Sequence, residues 1–213
     1  SGGARIQEGV RSMGGYAEIF RRNAQYSGVV PQISIMLGPC AGGAAYSPAL
    51  TDLVIMVEKQ SFMFLTGPEV IKAVTGEVID AESLGGASVH MAVSGVAHLS
   101  VKSETDALEM ARKFLSYLPS NNVENPPHIQ PSDDITRMDE ELNHIIPLEA
   151  TEPYIMHQVI EKIVDKGTFL ELQPDWARNA IIGLARIGGR SVGHLGQEPP
   201  HLGGADATHR PRQ

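Results

Sequence analysis

The placement of glycine constrains this chain most. Fourteen of its 22 glycines fall in residues 1–95, and none falls between Gly95 and Gly167. Glycine enters backbone conformations closed to other residues and lets main chain approach main chain. The first part is therefore expected to consist of short elements joined by tight turns, and the middle of helix and linker. Short apolar runs at 32–37, 53–57 and 62–65 have the length and β-branched content of buried strands. The turns between them include 38–43, which holds three glycines.

Helical patterns alternate with these runs. Residues 8–27 form one, with Tyr16, Ile19, Phe20 and Ala24 on a single stripe, and residues 44–50 form a shorter one. Thr66-Gly67-Pro68-Glu69 reads as a helix start with Thr66 as cap. A short helix from Asp80 is expected to stop at Gly85-Gly86 in the left-handed conformation. Ser103, with Asp106 three residues on, opens a helix over 104–118 with Leu108, Ala111, Leu115 and Leu118 inward. Thr151 is expected to cap a helix that buries Met156, Val159, Ile160, Ile163 and Val164 and ends at Gly167. Residues 180–187 and 191–195 read as a hairpin about Gly188-Gly189. Strands alternating with helices predict an α/β layer architecture.

At 213 residues the chain has room for one large domain, or one domain and part of another. Its hydrophobic fraction of 42% and charged fraction of 20% exclude a disordered chain, a coiled coil and a collagen-like rod. No window reaches the roughly 18 apolar residues of a membrane span, so no membrane association is expected. Cys40 is the single cysteine, which excludes an internal disulfide framework and a zinc ribbon. The net charge of −8 argues against nucleic-acid binding, which needs a basic footprint. Residues 119–153 carry eight acids against the one base Arg137, and the run is read as a solvated linker. The chain opens in a glycine-rich segment with no initiator methionine, and a fragment of a longer protein is expected.

Two glycine-rich turns, Ser1-Gly2-Gly3-Ala4-Arg5 and Gly38-Pro39-Cys40-Ala41-Gly42-Gly43-Ala44, each precede a helix and lack bulky side chains. Amides in such turns can come close to a ligand, and two that converge on one oxygen form an oxyanion hole. Taken singly, each is better explained as a tight turn with no ligand; the two together, both at helix starts, bring the readings level. Side-chain chemistry offers less. All eight histidines lie at or after His90, without metal-ligand spacing; His90 and His98 read as loop and strand-edge residues. Cys40 has no histidine near it in sequence and reads as a small buried thiol. Ser47 lacks the glycine-flanked elbow of hydrolases, and neither turn fits the Walker pattern. Backbone electrostatics is the strongest chemical signal.

Many blocks, in order and spacing, resemble the carboxyltransferase (beta) subunit of biotin-dependent acyl-CoA carboxylases, above all propionyl-CoA carboxylase beta chains. They include Ser1-Gly2-Gly3-Ala4-Arg5-Ile6-Gln7-Glu8-Gly9, Gly38-Pro39-Cys40-Ala41-Gly42-Gly43-Ala44 and Tyr46-Ser47-Pro48-Ala49-Leu50-Thr51-Asp52. Thr66-Gly67-Pro68-Glu69, Leu84-Gly85-Gly86-Ala87 and Ser94-Gly95-Val96-Ala97-His98 continue the set. The resemblance implies an α/β fold of the ClpP/crotonase type. An incomplete amino-terminal half (1–146, its start missing) would precede the beginning of a carboxy-terminal half (147–196) and a divergent tail (197–213).

It further implies transfer of a carboxyl group from carboxybiotin to the α-carbon of a short acyl-CoA, propionyl-CoA favoured, through an enolate. By motif, the catalytic amides would be those of Ala4 and of Gly42 or Gly43. Gly2, Gly3, Arg5, Cys40, Ala44 and Tyr46 would line the coenzyme A thioester and biotin site. Biotin would arrive on a separate carrier, no metal is expected, and the implied partners are acyl-CoA, a biotin carboxylase or carrier subunit and copies of the chain in a hexamer. A cytoplasmic location, or the mitochondrial matrix in a eukaryote, goes with this. Departures exist: family members are more than twice as long, and beyond Gln197 the sequence no longer resembles them, as a truncation would leave it. Two other readings stand beside the first. One is a truncated, inactive remnant; on any reading the chain alone is expected to be marginal in stability or aggregation-prone for want of partner strands. The other is a crotonase-like hydratase or isomerase, which would need an acid–base carboxylate that Ala44-Ala45-Tyr46-Ser47 does not supply.

Overall fold

The computed structural model describes residues 4–134, 136–149 and 152–198. The chain divides into two compact units between Asn125 and Pro126, earlier in the acidic segment than the boundary at 146 expected from sequence.

In the first unit a 3-10 turn, Ile6–Glu8, precedes α1 (Val10–Tyr26). Next come β1 (Ile33–Met36), β2 (Pro39–Ala41), α2 (Gly43–Ala49), β3 (Leu53–Val57) and β4 (Phe62–Phe64). The unit continues through α3 (Pro68–Thr75), α4 (Ala81–Gly85), α5 (Ala87–Ala92), β5 (Leu99–Val101) and α6 (Glu104–Leu115). Two parallel sheets form, β1-β3-β5 and the small pair β2-β4. Parallel neighbours need crossovers, which the intervening helices supply.

Every side chain of β3 is buried, as a strand covered on both faces requires. Val54 and Met56 enter a core with Met36, Cys40, Ala45, Met63 and Met91. Leu53, Ile55 and Val57 alternate to the other face, where α6 lies across β1, β3 and β5. Ser103 caps α6, its hydroxyl accepting the Asp106 amide at 3.1 Å. The inward stripe is Ala107, Ala111, Phe114 and Tyr117, while Leu108 and Leu115 stay 44% and 45% exposed. The row differs from the expected one by one position at all but Ala111, because adjacent rows both carry apolar residues at helical spacing.

Other expectations also shift. The first helix starts at Val10, because Gly9 (φ 60°, ψ −138°) interrupts it. Its contact row is Tyr16, Phe20 and Asn23, with Ile19 45% exposed and Ala24 exposed. Asn23 belongs there because it donates to Gln32 (2.7 Å) and accepts from the Ser47 hydroxyl (2.9 Å). The turn expected at 38–43 contains the strand β2. Ladder bonds at its ends, Phe62 N to Gly38 O (3.4 Å) and Gly42 N to Phe64 O (3.1 Å), use alternate residues and leave the donorless Pro39 nitrogen on the other side. Gly67, not Thr66, caps α3. Asp80 caps α4 through the Ser83 amide (2.9 Å), yet Gly86 is extended (φ −72°) and α5 follows at once, a helix unforeseen in the sequence.

The second unit contains α7 (Leu142–Ile145), α8 (Met156–Ile163), β6 (Leu170–Leu172), β7 (Ala180–Ile187) and β8 (Arg190–Gln197). The three strands form one antiparallel sheet. The expected hairpin turns at Gly188 and Gly189, both left-handed (φ 57° and 76°), as a two-residue primed turn requires. Asp165 holds that turn, its carboxylate accepting both glycine amides (2.8 and 2.7 Å). Ile160, Val164, Ile181 and Ala185 form the core, whereas Ile163 is 53% exposed. Ile155 caps α8, and the expected cap Thr151 lies outside the described residues. The acidic segment is tied down where a solvated linker was expected. Arg137, paired with Asp133, donates to the carbonyls of Lys162 (2.7 Å) and Val164 (3.0 Å) at the end of α8. Lys162 pairs with Glu141 (2.6 Å) and Asp139 (3.5 Å), and the hydrogen bond it donates to the Glu141 carboxylate raises its pKa.

His98 ties β5 to β3: its Nδ1 accepts the Val54 amide (3.1 Å) and its own amide donates to the Val54 carbonyl (2.9 Å). Burial pushes the imidazole below its ordinary range, opposed by the Asp52 carboxylate. The unfolded chain therefore binds the proton first, so this contribution to stability is complete above about pH 6.5 and is lost as pH falls below it. Between about pH 7.5 and 5.5, the melting temperature of the natural chain should fall more steeply than that of His98→Asn, whose Oδ1 still accepts the Val54 amide. Equal slopes in a thermal melt series would exclude His98 as the cause.

Candidate functional site

The second glycine-rich turn is built on the β2-β4 pair. Gly42 has φ 59° and ψ −132°, and Gly9, at the end of the first turn, has φ 60° and ψ −138°. A side chain strains that conformation, which is why glycine precedes both helices. Gly9 falls inside the span expected as helix, 8–27, and its place as a cap shows only in the backbone conformation.

The amide of Gly42 is engaged, donating to the Phe64 carbonyl at 3.1 Å. It therefore anchors the turn and is not available to a ligand. Beyond it the chain enters α2, where the first amides have no acceptor in their own helix. Ala45 N bonds Gly42 O at 2.9 Å, while the amides of Gly43 and Ala44 have no hydrogen-bond partner among the described residues. Ala44 was expected as a lining residue; its side chain is buried in the core and its amide is the part left over.

The structure brings α1 over this turn. A Cβ on Gly43 would lie 3.2 Å from Cε1 of Tyr16, so the ring rests on the glycine. Phe20 lies 6.3 Å from Tyr46, centroid to centroid, and Tyr46 is 45% exposed. Tyr16 was legible only as a stripe residue. Cys40 is buried among Met36, Ala44, Met63 and Met91, and belongs to the core behind the turn. Of the first turn, Ala4 is half-buried and Arg5 exposed, its guanidinium 3.5 Å from Glu8; Gly2 and Gly3 lie outside the described residues. Such an exposed pair contributes little to stability.

His90 lies in α5 and not in a loop, 2.7 Å from the Met63 carbonyl and 2.7 Å from the Ser94 hydroxyl. Among the described residues no group of three or more His, Cys, Asp or Glu side chains could hold a metal ion, and no helix is long and apolar enough to cross a membrane. Clefts of about 470 and 390 Å³ lie in the second unit, the larger lined by His144, Tyr154 and Gln158 among others. Neither includes a residue of the glycine-rich turns.

The family model of the carboxyl transferase domain matches residues 1–210. The chain is 53% identical over 199 residues to the carboxyltransferase subunit of propionyl-CoA carboxylase from Haloferax mediterranei, covering 93% of this chain and 39% of that protein. It is 52% identical to the methylmalonyl-CoA decarboxylase subunit alpha of Veillonella parvula, covering 96% of this chain and 40% of that one. The crystal structure of transcarboxylase 12S, described as a hexamer with hydrolysed methylmalonyl-coenzyme A bound, superposes with a TM-score of 0.87 at 48% identity over 92% of this chain and 38% of its own. This chain thus belongs to the carboxyl transferase domain family and has its crotonase-like α/β fold. It spans about two fifths of the length of these relatives.

Gly42→Ala should strain the turn by about 1–3 kcal/mol and weaken the bond to Phe64. The expected result is a lower melting temperature with faster hydrogen exchange at the residue 42 amide. An unchanged melt and exchange rate would mean that the turn tolerates a side chain.

Proposed function

We propose that this chain provides the acyl-thioester surface of a biotin-dependent carboxyltransferase. The reaction moves a carboxyl group from carboxybiotin to the α-carbon of a short acyl-CoA, propionyl-CoA before others. The observation that carries the reading is the pair of unpartnered amides at Gly43 and Ala44, in a chain of this family. A thioester carbonyl that becomes an enolate develops charge on oxygen, and fixed N–H donors stabilise that charge without having to reorient. Gly42, held by Phe64, sets the direction of the two amides that follow. Ala4, from the first turn, is proposed as the further donor to the same oxygen. Arg5 and Tyr46, the two exposed side chains of the expected lining, would meet the coenzyme or the incoming biotin.

Carboxybiotin, brought by a separate carrier, supplies both the carboxyl group and, once it has given that up, the base for the α-proton. The protein then needs no acid–base side chain at the turn, in keeping with Ala44-Ala45-Tyr46-Ser47. Transfer in either direction passes through the same enolate, so one surface serves a carboxylase or a decarboxylase complex. The assembly proposed is a homo-oligomer, as in the transcarboxylase 12S hexamer, working with a biotin carboxylase or carrier subunit in the cytoplasm or the mitochondrial matrix.

The test uses the full-length subunit. Transfer from carboxybiotin to propionyl-CoA is expected, and hydration of crotonyl-CoA is not; the opposite outcome would replace this reading with the hydratase one. Gly43→Pro removes one N–H at the first helical position, where helices tolerate proline, and sets a Cβ against the Tyr16 ring as Gly43→Ala also does. It should lower kcat about 10²–10³-fold while the fold is kept, whereas Gly43→Ala, which keeps the amide, should lose much less. Equal activity of the two variants would place the oxyanion donors elsewhere.

A further inference from the structure

The geometry points to His90 as a positioning residue for this site, an inference that rests on the function proposed above. β4 is three residues long and its ladder partner is β2. Carbonyls alternate in direction along a strand. Phe64 O faces β2 and accepts the Gly42 amide, so Met63 O faces away from it, where a buried carbonyl needs another donor. His90 Nε2, at 2.7 Å, is that donor.

The proton's place follows from the partners. A carbonyl only accepts, so Nε2 carries the hydrogen, and Nδ1 of the neutral ring accepts from the Ser94 hydroxyl at 2.7 Å. The Val96 amide in turn donates to the Ser94 oxygen at 3.3 Å, which leaves that hydroxyl's own hydrogen for His90. A relay of fixed polarity thus runs from Val96 through Ser94 and His90 to Met63.

The other side of the same carbonyl is closed by Gly85, where a Cβ would collide with Met63 O. Gly86 bridges to Phe62, and the Met63 side chain is buried beside Cys40. Three-residue strands have little ladder of their own to fix them. Loss of the His90 bond would let β4 shift, and Phe64 O would carry Gly42 and the amides of Gly43 and Ala44 with it. His90 would touch neither substrate nor reacting atoms; its effect is on where the donors point. Misplacement of about 1 Å can cost about a hundredfold in rate.

The experiment compares His90→Phe, His90→Gln and Ser94→Ala with the natural residues in the full-length subunit, in its holoenzyme. His90→Phe should lower kcat about ten- to a hundredfold with KM for propionyl-CoA within about twofold. His90→Gln, which keeps an N–H donor, should recover part of that loss, and Ser94→Ala should show a smaller fall in kcat of the same kind. A natural kcat in His90→Phe, a change in KM alone, or no advantage of Gln over Phe would each overturn the inference. If His90→Phe does not fold, Ser94→Ala decides, an unchanged kcat counting against. Hydrogen exchange at the Gly42 amide, read without substrate, separates this inference from the functional one. Exchange about tenfold faster in His90→Phe, in a protein whose natural form transfers no carboxyl group, would sink the function and keep the positioning role. Turnover in the natural protein with unchanged exchange in the variant would do the reverse.

Discussion

One backbone hydrogen bond, from Gly42 to the Phe64 carbonyl, organises the candidate site. It is the last rung of a parallel pair only three residues long, and beyond it the chain turns into α2. A parallel ladder spaces its bonds evenly, so engaging Gly42 fixes which later amides are left over. Had the chain turned one residue earlier, Gly42 would have headed the helix and its own amide would have been among those left over. The glycines here are distinguished by conformation, since Gly42 alone of the two has a positive φ.

That pair is held by packing more than by its own hydrogen bonds. Met36, Met56, Met63 and Met91 surround Cys40 and the small residues Ala44, Ala45 and Ala87. Methionine is unbranched and adapts to irregular gaps, and alanine lets helices approach closely. Such a core accommodates two sheets that share no strand, a junction that branched side chains would fill poorly. The second unit solves its own closure with polar groups. Asp165 holds a glycine turn from beneath, and Arg137 covers carbonyls that α8 leaves unpaired at its end.

Strands β1, β3 and β4, the capped helix α6 and the hairpin β7-β8 were legible because each carries a local signature: apolar runs, a Ser103 cap, or paired glycines. Failures cluster where the deciding partner is far away in sequence. β2 reads as a turn because its pairing is with residues about twenty positions on and two of its neighbours are glycines. α5 was hidden by Gly85-Gly86, which look like a helix stop. They are glycines because Met63 O and Glu82 crowd the space where side chains would stand. The stripe of α6 was misjudged at three of its four places, with Ala107, Phe114 and Tyr117 inward in place of Leu108, Leu115 and Leu118, because adjacent rows both carry apolar residues at helical spacing. Of the site, the glycine-rich turn and its family resemblance were plain. Which amides are unpartnered was not, because a ladder bond to Phe64 leaves no mark in sequence.

On the function proposed, backbone donors would also explain why the side chains announced so little. An oxyanion site made from histidine or lysine betrays itself by spacing and by displaced titration; one made from amides is independent of side-chain identity so long as the turn forms. Its sequence signature is therefore negative, namely small residues that allow the turn and obstruct nothing. The turn itself is held from one layer out: by the Phe64 carbonyl, by the Tyr16 ring against Gly43, and by His90 through the Met63 carbonyl. Those residues have no chemistry of their own at the reacting centre. On the function proposed, their constraint on the backbone would make the amides a fixed dipole pair, the property that distinguishes a donor site from an ordinary turn.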